Sequence, residues 1–190
     1  MKSLQIRQIR QISLLKIENR LANVFLIIIG SIFISILAQI SFQIPFSPIP
    51  ITGQTLGVVI IGGILGSRRG ALTVMLYLLE GASGLPVFAN MKAGFHVLIG
   101  PTAGYLWSFV FAAYCTGLLA EKGFTNNFLN SFLVCLLSTT IILLTGTIYL
   151  FLIGSSFEKA MIVGFYPFII GGIIKSIFSS IIISSFRRSS

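Results

Sequence analysis

Hydrophobic positions in this chain come in long runs, separated by short turns that are polar or rich in proline and glycine. Six such runs predict helices at residues 23–42, 52–65, 71 to the weak stretch 81–84, 104–120, 132–153 and 162–186. A helix rises ~1.5 Å per residue, so about 20 apolar residues cross a bilayer. The second run is short for a full crossing, which predicts tilt or local adjustment. The expected fold is an all-α integral membrane protein: a six-helix transmembrane bundle forming a single domain over 23–188, after a basic segment over 1–22.

One stretch breaks the pattern. Residues 84–107, GLPVFANMKAGFHVLIGPTAGYLW, lie between two apolar runs. Pro86, Gly94, Gly100, Pro101 and Gly104 forbid one uninterrupted helix there. In hydrocarbon, irregular backbone survives only where protein covers it or a watery cavity satisfies its polar groups. The stretch is therefore expected to line a cavity, and a cavity at a membrane face suggests a bound solute. Loops 43–51 and 84–102 and the start of the sixth run fall on one side of the bundle, so the cavity should open there.

Composition excludes an ordinary soluble domain: 55% of residues are hydrophobic and only 9% charged, with a mean hydropathy of +1.00. There is no aspartate, and the glutamates are Glu18, Glu80, Glu121 and Glu158. The net charge of +9 reports topology rather than nucleic-acid binding. With an even number of spans, Lys2, Arg7, Arg10, Lys16, Arg20, Arg68, Arg69, Lys122, Arg187 and Arg188 all fall on one side. Lys92 and Lys159 fall on the other, and Lys175 lies inside a span. This bias predicts cytoplasmic termini and an outward-facing pocket, and the basic surplus suits anionic lipid. The first run, 24–42, is longer than a signal peptide's apolar core and no small-x-small site follows it. A retained first helix is expected. Cys115 and Cys135, isolated in apolar runs, read as unpaired packing residues.

PITGQTLGV at 50–58, LGSRRGALTVMLYLL at 65–79, GLPVFA at 84–89 and GPTAGYL at 100–106 together resemble the BioY family. Members of that family are the biotin-binding S components of energy-coupling-factor (ECF) transporters. The likeness runs from about Pro45 to Lys175, and GLPVF followed at this spacing by GPTxGYL is a specific signature. The sixth run resembles the family's PFxPGDxxK through Pro167, Phe168, Gly171 and Lys175, but Ile170 stands where a proline is usual and Gly172 where an aspartate is. The missing carboxylate puts any acid–lysine pairing, or a contact to the ureido ring, in question.

Lys175 is the sharpest single residue. Nine positions beyond Tyr166, it would lie about 13 Å along a continuous helix. A charge at that depth needs a partner or a cavity. The valerate carboxylate of biotin would suit it through a charge-assisted hydrogen bond, and snorkelling to the interface is the alternative. Glu80, the acid within the spans, is a candidate ion-pair partner for Lys175, unless it is protonated or faces water. Gln54 offers donors and acceptors to a cyclic urea, or serves as interhelical glue. Asn90 either contacts ligand or caps irregular backbone. Tyr105, Phe88 and Trp107 each either cover the ligand's ring or belong to an interfacial aromatic belt. His96 stands alone, so no metal is expected. Arg68 and Arg69 read as a topology signal in a turn.

The sequence lacks a P-loop, HExxH, GxSxG and paired acids at catalytic spacing, which argues against an enzyme and for no bound cofactor. Uphill import would then draw on ATP hydrolysed by other chains. The resemblance implies those partners: an ECF T component and two ATPase subunits. Gly30, Ser31, Ser35 and Ala38 on the first helix are small residues that would admit another helix, making them the expected T-component docking face; packing within the bundle is the alternative. The expected function is biotin uptake by a multi-pass protein of the cell (inner) membrane. A stand-alone biotin facilitator, an S component for another small vitamin and a lipid-acting membrane enzyme are the alternatives.

Overall fold

The structure is a computed structural model that describes the backbone of residues 2–189 and the side chains of residues 20–187. The basic side chains counted above at Lys2, Arg7, Arg10, Lys16 and Arg188 lie outside the described residues. The helices are α1 (Lys2–Gln39), α2 (Gln54–Leu65), α3 (Ser67–Ala82), α4 (Ala103–Glu121), α5 (Phe128–Leu152), α6 (Phe157–Gly164) and α7 (Ile169–Ser189). A two-residue antiparallel pairing of β1 (Ser41–Phe42) with β2 (Ile51–Thr52) closes the proline-rich loop between α1 and α2, a small departure from the expected all-α fold.

Among the described residues, four stretches are long and apolar enough to cross a membrane: Arg20–Gln39, Ala103–Glu121, Phe128–Leu152 and Phe157–Arg187. The other two expected spans are shorter, 12 residues in α2 and 16 in α3. Helix α4 touches α2, α3 and α5, while α7 packs on α5 and α2, and α1 on α3 and α2. Large apolar residues such as Ile28, Ile32, Ile36, Ile170 and Ile174 face outward, and hydroxyl groups face in. Thr116 donates to Ser138 across α4 and α5 at 2.7 Å, and Thr139 lies 3.2 Å from Ser176 across α5 and α7. Such bonds contribute about 1 kcal/mol each where lipid, not water, is the surrounding solvent. Close approach does the rest: a Cβ on Gly104 would lie 2.3 Å from Tyr149, and one on Gly146 would lie 2.3 Å from the Tyr105 ring.

Helix ends differ from expectation for local reasons. Helix α3 begins at Ser67 rather than near Ala71, so Arg68 and Arg69 form its first turn instead of the connecting turn. Gly66, at φ 85°, ends α2, and the Glu121 carboxylate accepts from the Ser67 N–H at 2.7 Å. An acidic group there satisfies an orphan donor and complements the helix dipole. Arg187 donates to the Gly63 carbonyl at 2.9 Å, answering the C-terminal end of α2. Helix α5 starts at Phe128, ahead of the expected Phe132, because Asn127 caps it by accepting from the Asn130 N–H at 2.9 Å.

Two corrections concern the first and sixth spans. Gly30, Ser31 and Ala38 are buried and Ser35 is half-buried, so the small-residue stripe of α1 faces the protein's own bundle rather than an open docking surface. A Cβ on Gly30 would meet Thr73 at 2.7 Å, and Ser31 donates to Glu80 at 3.0 Å. The sixth span is not one helix over 162–186. It breaks between α6 and α7 into a 3-10 turn at Tyr166–Phe168. Pro167 has no N–H to offer the Val163 carbonyl one turn back. The Phe168 N–H pairs with Phe165 instead of Gly164. Side chains answer both carbonyls: Ser47 Oγ donates to Val163 at 2.6 Å and Tyr105 OH to Gly164 at 2.7 Å.

Candidate functional site

The break in the sixth span and the irregular segment after α3 lie at the same end of the bundle, and a cleft opens between them. It encloses about 730 Å³ of empty space, part of it open to solvent. Its walls come from Ile49, Pro50 and Thr52 in the loop and strand before α2, from Gln54 and Thr55 at the start of α2, and from Phe88, Ala89, Lys92, Val97 and Thr102 in the irregular segment. Tyr105, Leu106 and Phe109 of α4, Thr139 and Leu143 of α5, and Phe168, Gly172 and Lys175 complete it. Two lysines line the cleft and no carboxylate does.

Four of the expected site residues meet here: Gln54, Phe88, Tyr105 and Lys175. Gln54 is buried and already engaged. It accepts from Thr52 Oγ1 at 3.0 Å and donates to the Tyr77 hydroxyl, which in turn donates to the Val87 carbonyl at 3.2 Å. An amide has two N–H donors and two lone pairs, so this network leaves capacity for a ligand. Phe88 stands edge-on to Tyr77 with ring centroids 5.5 Å apart. Its ring rests on Gly81, where a Cβ would lie 2.1 Å from the Phe88 Cζ. Tyr105 spends its hydroxyl on Gly164 and turns its ring to the cleft, 6.4 Å from the ring of Phe168.

Lys175 lies in the second turn of α7 and is half-buried. Its ammonium donates to the Thr52 carbonyl at 2.7 Å and to Thr55 Oγ1 at 3.0 Å. These bonds tie α7 to the start of α2, where the carbonyl of the short strand would otherwise lack a partner. The expected pairing of Lys175 with Glu80 is not formed, because Glu80 faces α1 and accepts from Ser31. Asn90 lies outside the cleft wall. It adopts a left-handed conformation, φ 58°, and its Oδ1 accepts from Ser41 Oγ at 2.6 Å. Trp107 is half exposed and donates to the Leu98 carbonyl at 3.0 Å.

Three residues of the site escaped the sequence reading. Gln39, at the end of α1, donates to the Phe88 carbonyl at 3.2 Å and accepts from the Met91 N–H at 3.0 Å, so it holds the irregular segment over the cleft. Ser47 holds the broken sixth span as described. Lys92 lines the cleft although its charge read only as a topology marker. Its position in the segment between two glycines was the available signal.

Comparison with known proteins gives the same family as the motifs. Residues 8–190 match the BioY family. "Biotin transporter BioY" of Thermotoga maritima is 40% identical over 140 residues, covering 74% of this chain and 82% of that protein. "Biotin transporter BioY" of Rhizobium etli is 34% identical over 169 residues, covering 82% of this chain and 89% of that protein. A crystal structure of the S component for biotin from an ECF-type ABC transporter superposes with a TM-score of 0.82 at 26% identity, covering 91% of this chain and 94% of that one. These relatives are transporters, not enzymes. The chain belongs to the BioY family.

Proposed function

We propose that this chain captures biotin from outside the cell membrane, as the S component of an ECF-type importer. The observation that carries the reading is the cleft itself: mainly apolar, bearing two lysines and no acid. Biotin has the matching chemistry, with an apolar thiophane ring, a cyclic urea that both donates and accepts, and one carboxylate. Phe88 and Tyr105 form the apolar walls, Gln54 meets the urea, and the lysines give the cleft its positive field. Asn90 acts through the turn that carries the irregular segment. The names of the relatives support the ligand.

The positive-inside bias supports cytoplasmic termini and, with them, a cleft on the outer face of a multi-pass protein of the cell (inner) membrane. Capture needs no bond making in this chain, no cofactor and no nucleic acid. The solute binds, and a T component with two ATPase subunits supplies the work of import. The small residues of α1 are spent internally, so docking of the T component uses other surfaces of the bundle.

The test is accumulation of labelled biotin by cells that lack their own uptake system. The chain is expressed alone or together with a T component and its ATPases. Accumulation that requires the partners, and co-purification with them, is the expected result. Equal uptake by the chain alone would identify a stand-alone facilitator, and no uptake in either arm would overturn the transport reading.

A further inference from the structure

Two lysines face one cleft, and their circumstances differ. Lys175 directs its ammonium at the Thr52 carbonyl and Thr55 Oγ1, so at least two of its three protons are committed to joining α7 to α2. Lys92 stands at the exposed rim of the same cleft, and its ammonium makes no hydrogen bond or ion pair among the described residues. Its backbone is nevertheless well held. The Phe88 N–H donates to the Lys92 carbonyl at 3.1 Å, and the Lys92 N–H donates to Ala89 at 3.4 Å. The two residues before it, Asn90 and Met91, take left-handed conformations at φ 58° and 56°. Ser41 fixes the first of them through its side chain, and Gln39 fixes the second through its N–H. A fastened loop therefore presents an uncommitted cation to the cleft.

We propose that Lys92 is the residue that recognises the ligand's carboxylate, and that it, rather than Lys175, sets the preference for the acid over its neutral amide. This rests on the reading of the cleft as a biotin site. With its bonds to Thr52 and Thr55 made, Lys175 has one proton left to offer a carboxylate, whereas Lys92 has all three and gives up only water. The cleft offers no acid that would compete for either cation. A long ligand would enter with its rings between Phe88 and Tyr105 and leave its charged tail at the rim, where Lys92 stands. A pair at the rim is partly hydrated, so its effect is moderate and is screened by salt.

The experiment measures equilibrium binding of biotin and biotin amide to the purified full-length protein, as wild type, Lys92→Met, Lys92→Arg and Lys175→Met, at low and high salt. Wild type should prefer biotin over the amide by roughly tenfold at low salt, as one charge-assisted hydrogen bond provides. Lys92→Met should lose that preference while binding the amide as wild type does, which also shows that the variant is folded. Lys92→Arg should keep the preference, and so should Lys175→Met, whatever its loss toward both ligands. High salt should shrink the preference in wild type and leave Lys92→Met unchanged. A full preference in Lys92→Met, equal weakening of both ligands by that substitution, or a preference abolished by Lys175→Met would overturn the assignment to Lys92 while leaving the biotin site standing. Failure of wild type to bind either ligand would overturn the biotin reading and this assignment with it.

Discussion

Ser47 Oγ donates to the Val163 carbonyl at 2.6 Å, and that carbonyl is the one Pro167 leaves without an N–H. The loop between α1 and α2 thus repairs the sixth span at its break. Tyr105 does the same for Gly164 from α4. The break can persist next to the cleft because neither carbonyl is left bare in a nonaqueous interior. Helix α7 can then begin afresh at Ile169 and carry Gly172 and Lys175 to the cleft wall.

Ser47→Ala removes a buried donor and orphans the Val163 carbonyl, which should cost about 1–3 kcal/mol. Thermal unfolding of the detergent-solubilised protein checks it. A melting temperature equal to that of wild type would show that water or another group answers the carbonyl instead.

Tyr105→Phe separates two roles of one side chain. The hydroxyl bond to Gly164 goes, while the ring that packs near Phe168 and on Gly146 stays. Stability should fall by about 1–3 kcal/mol, and ligand affinity should fall far less than in Tyr105→Ala. Comparable loss of affinity in both variants would assign the hydroxyl a direct part in binding.

Gly81→Ala places a methyl group where the Phe88 ring lies, 2.1 Å from its Cζ. Overpacking of this kind costs about 1–3 kcal/mol, and the ring has to leave the cleft wall to relieve it. Binding should weaken together with stability. Unchanged affinity would mean that Phe88 does not form the wall the ligand touches.

The topology proposed from the charge bias is open to a direct check. In a background with Cys115 and Cys135 replaced by serine, Lys92→Cys should react with an impermeant thiol reagent added outside intact cells, and Lys122→Cys should not. The reverse pattern would turn the cleft to the cytoplasm and remove the basis for capture from outside.

The parts of the fold that were legible in the sequence are those where composition alone constrains the chain. Apolar runs marked the helices, and the prolines and glycines of 84–107 marked irregular backbone. Lys175, Phe88, Tyr105 and Gln54 stood out as polar or aromatic groups in apolar surroundings, and the structure brings them to one cleft. What remained hidden depends on partners far along the chain. Pro167 announces an orphaned carbonyl, but not that Ser47, 116 residues away from Val163, answers it. Gln39 looks like an ordinary helix end until Phe88 and Met91 are placed beside it. The stripe of Gly30, Ser31, Ser35 and Ala38 was legible as a close helix contact, but its spacing does not tell which helix approaches. Thr73 and Glu80 of α3 do.

The central claim is that this chain alone holds biotin. Equilibrium binding of the purified protein, without ATP or partner chains, to biotin, riboflavin and thiamine tests it most directly. Saturable binding of biotin, tighter than that of either other vitamin, is the predicted result. Tighter binding of riboflavin or thiamine, or no saturable binding of biotin, would contradict it.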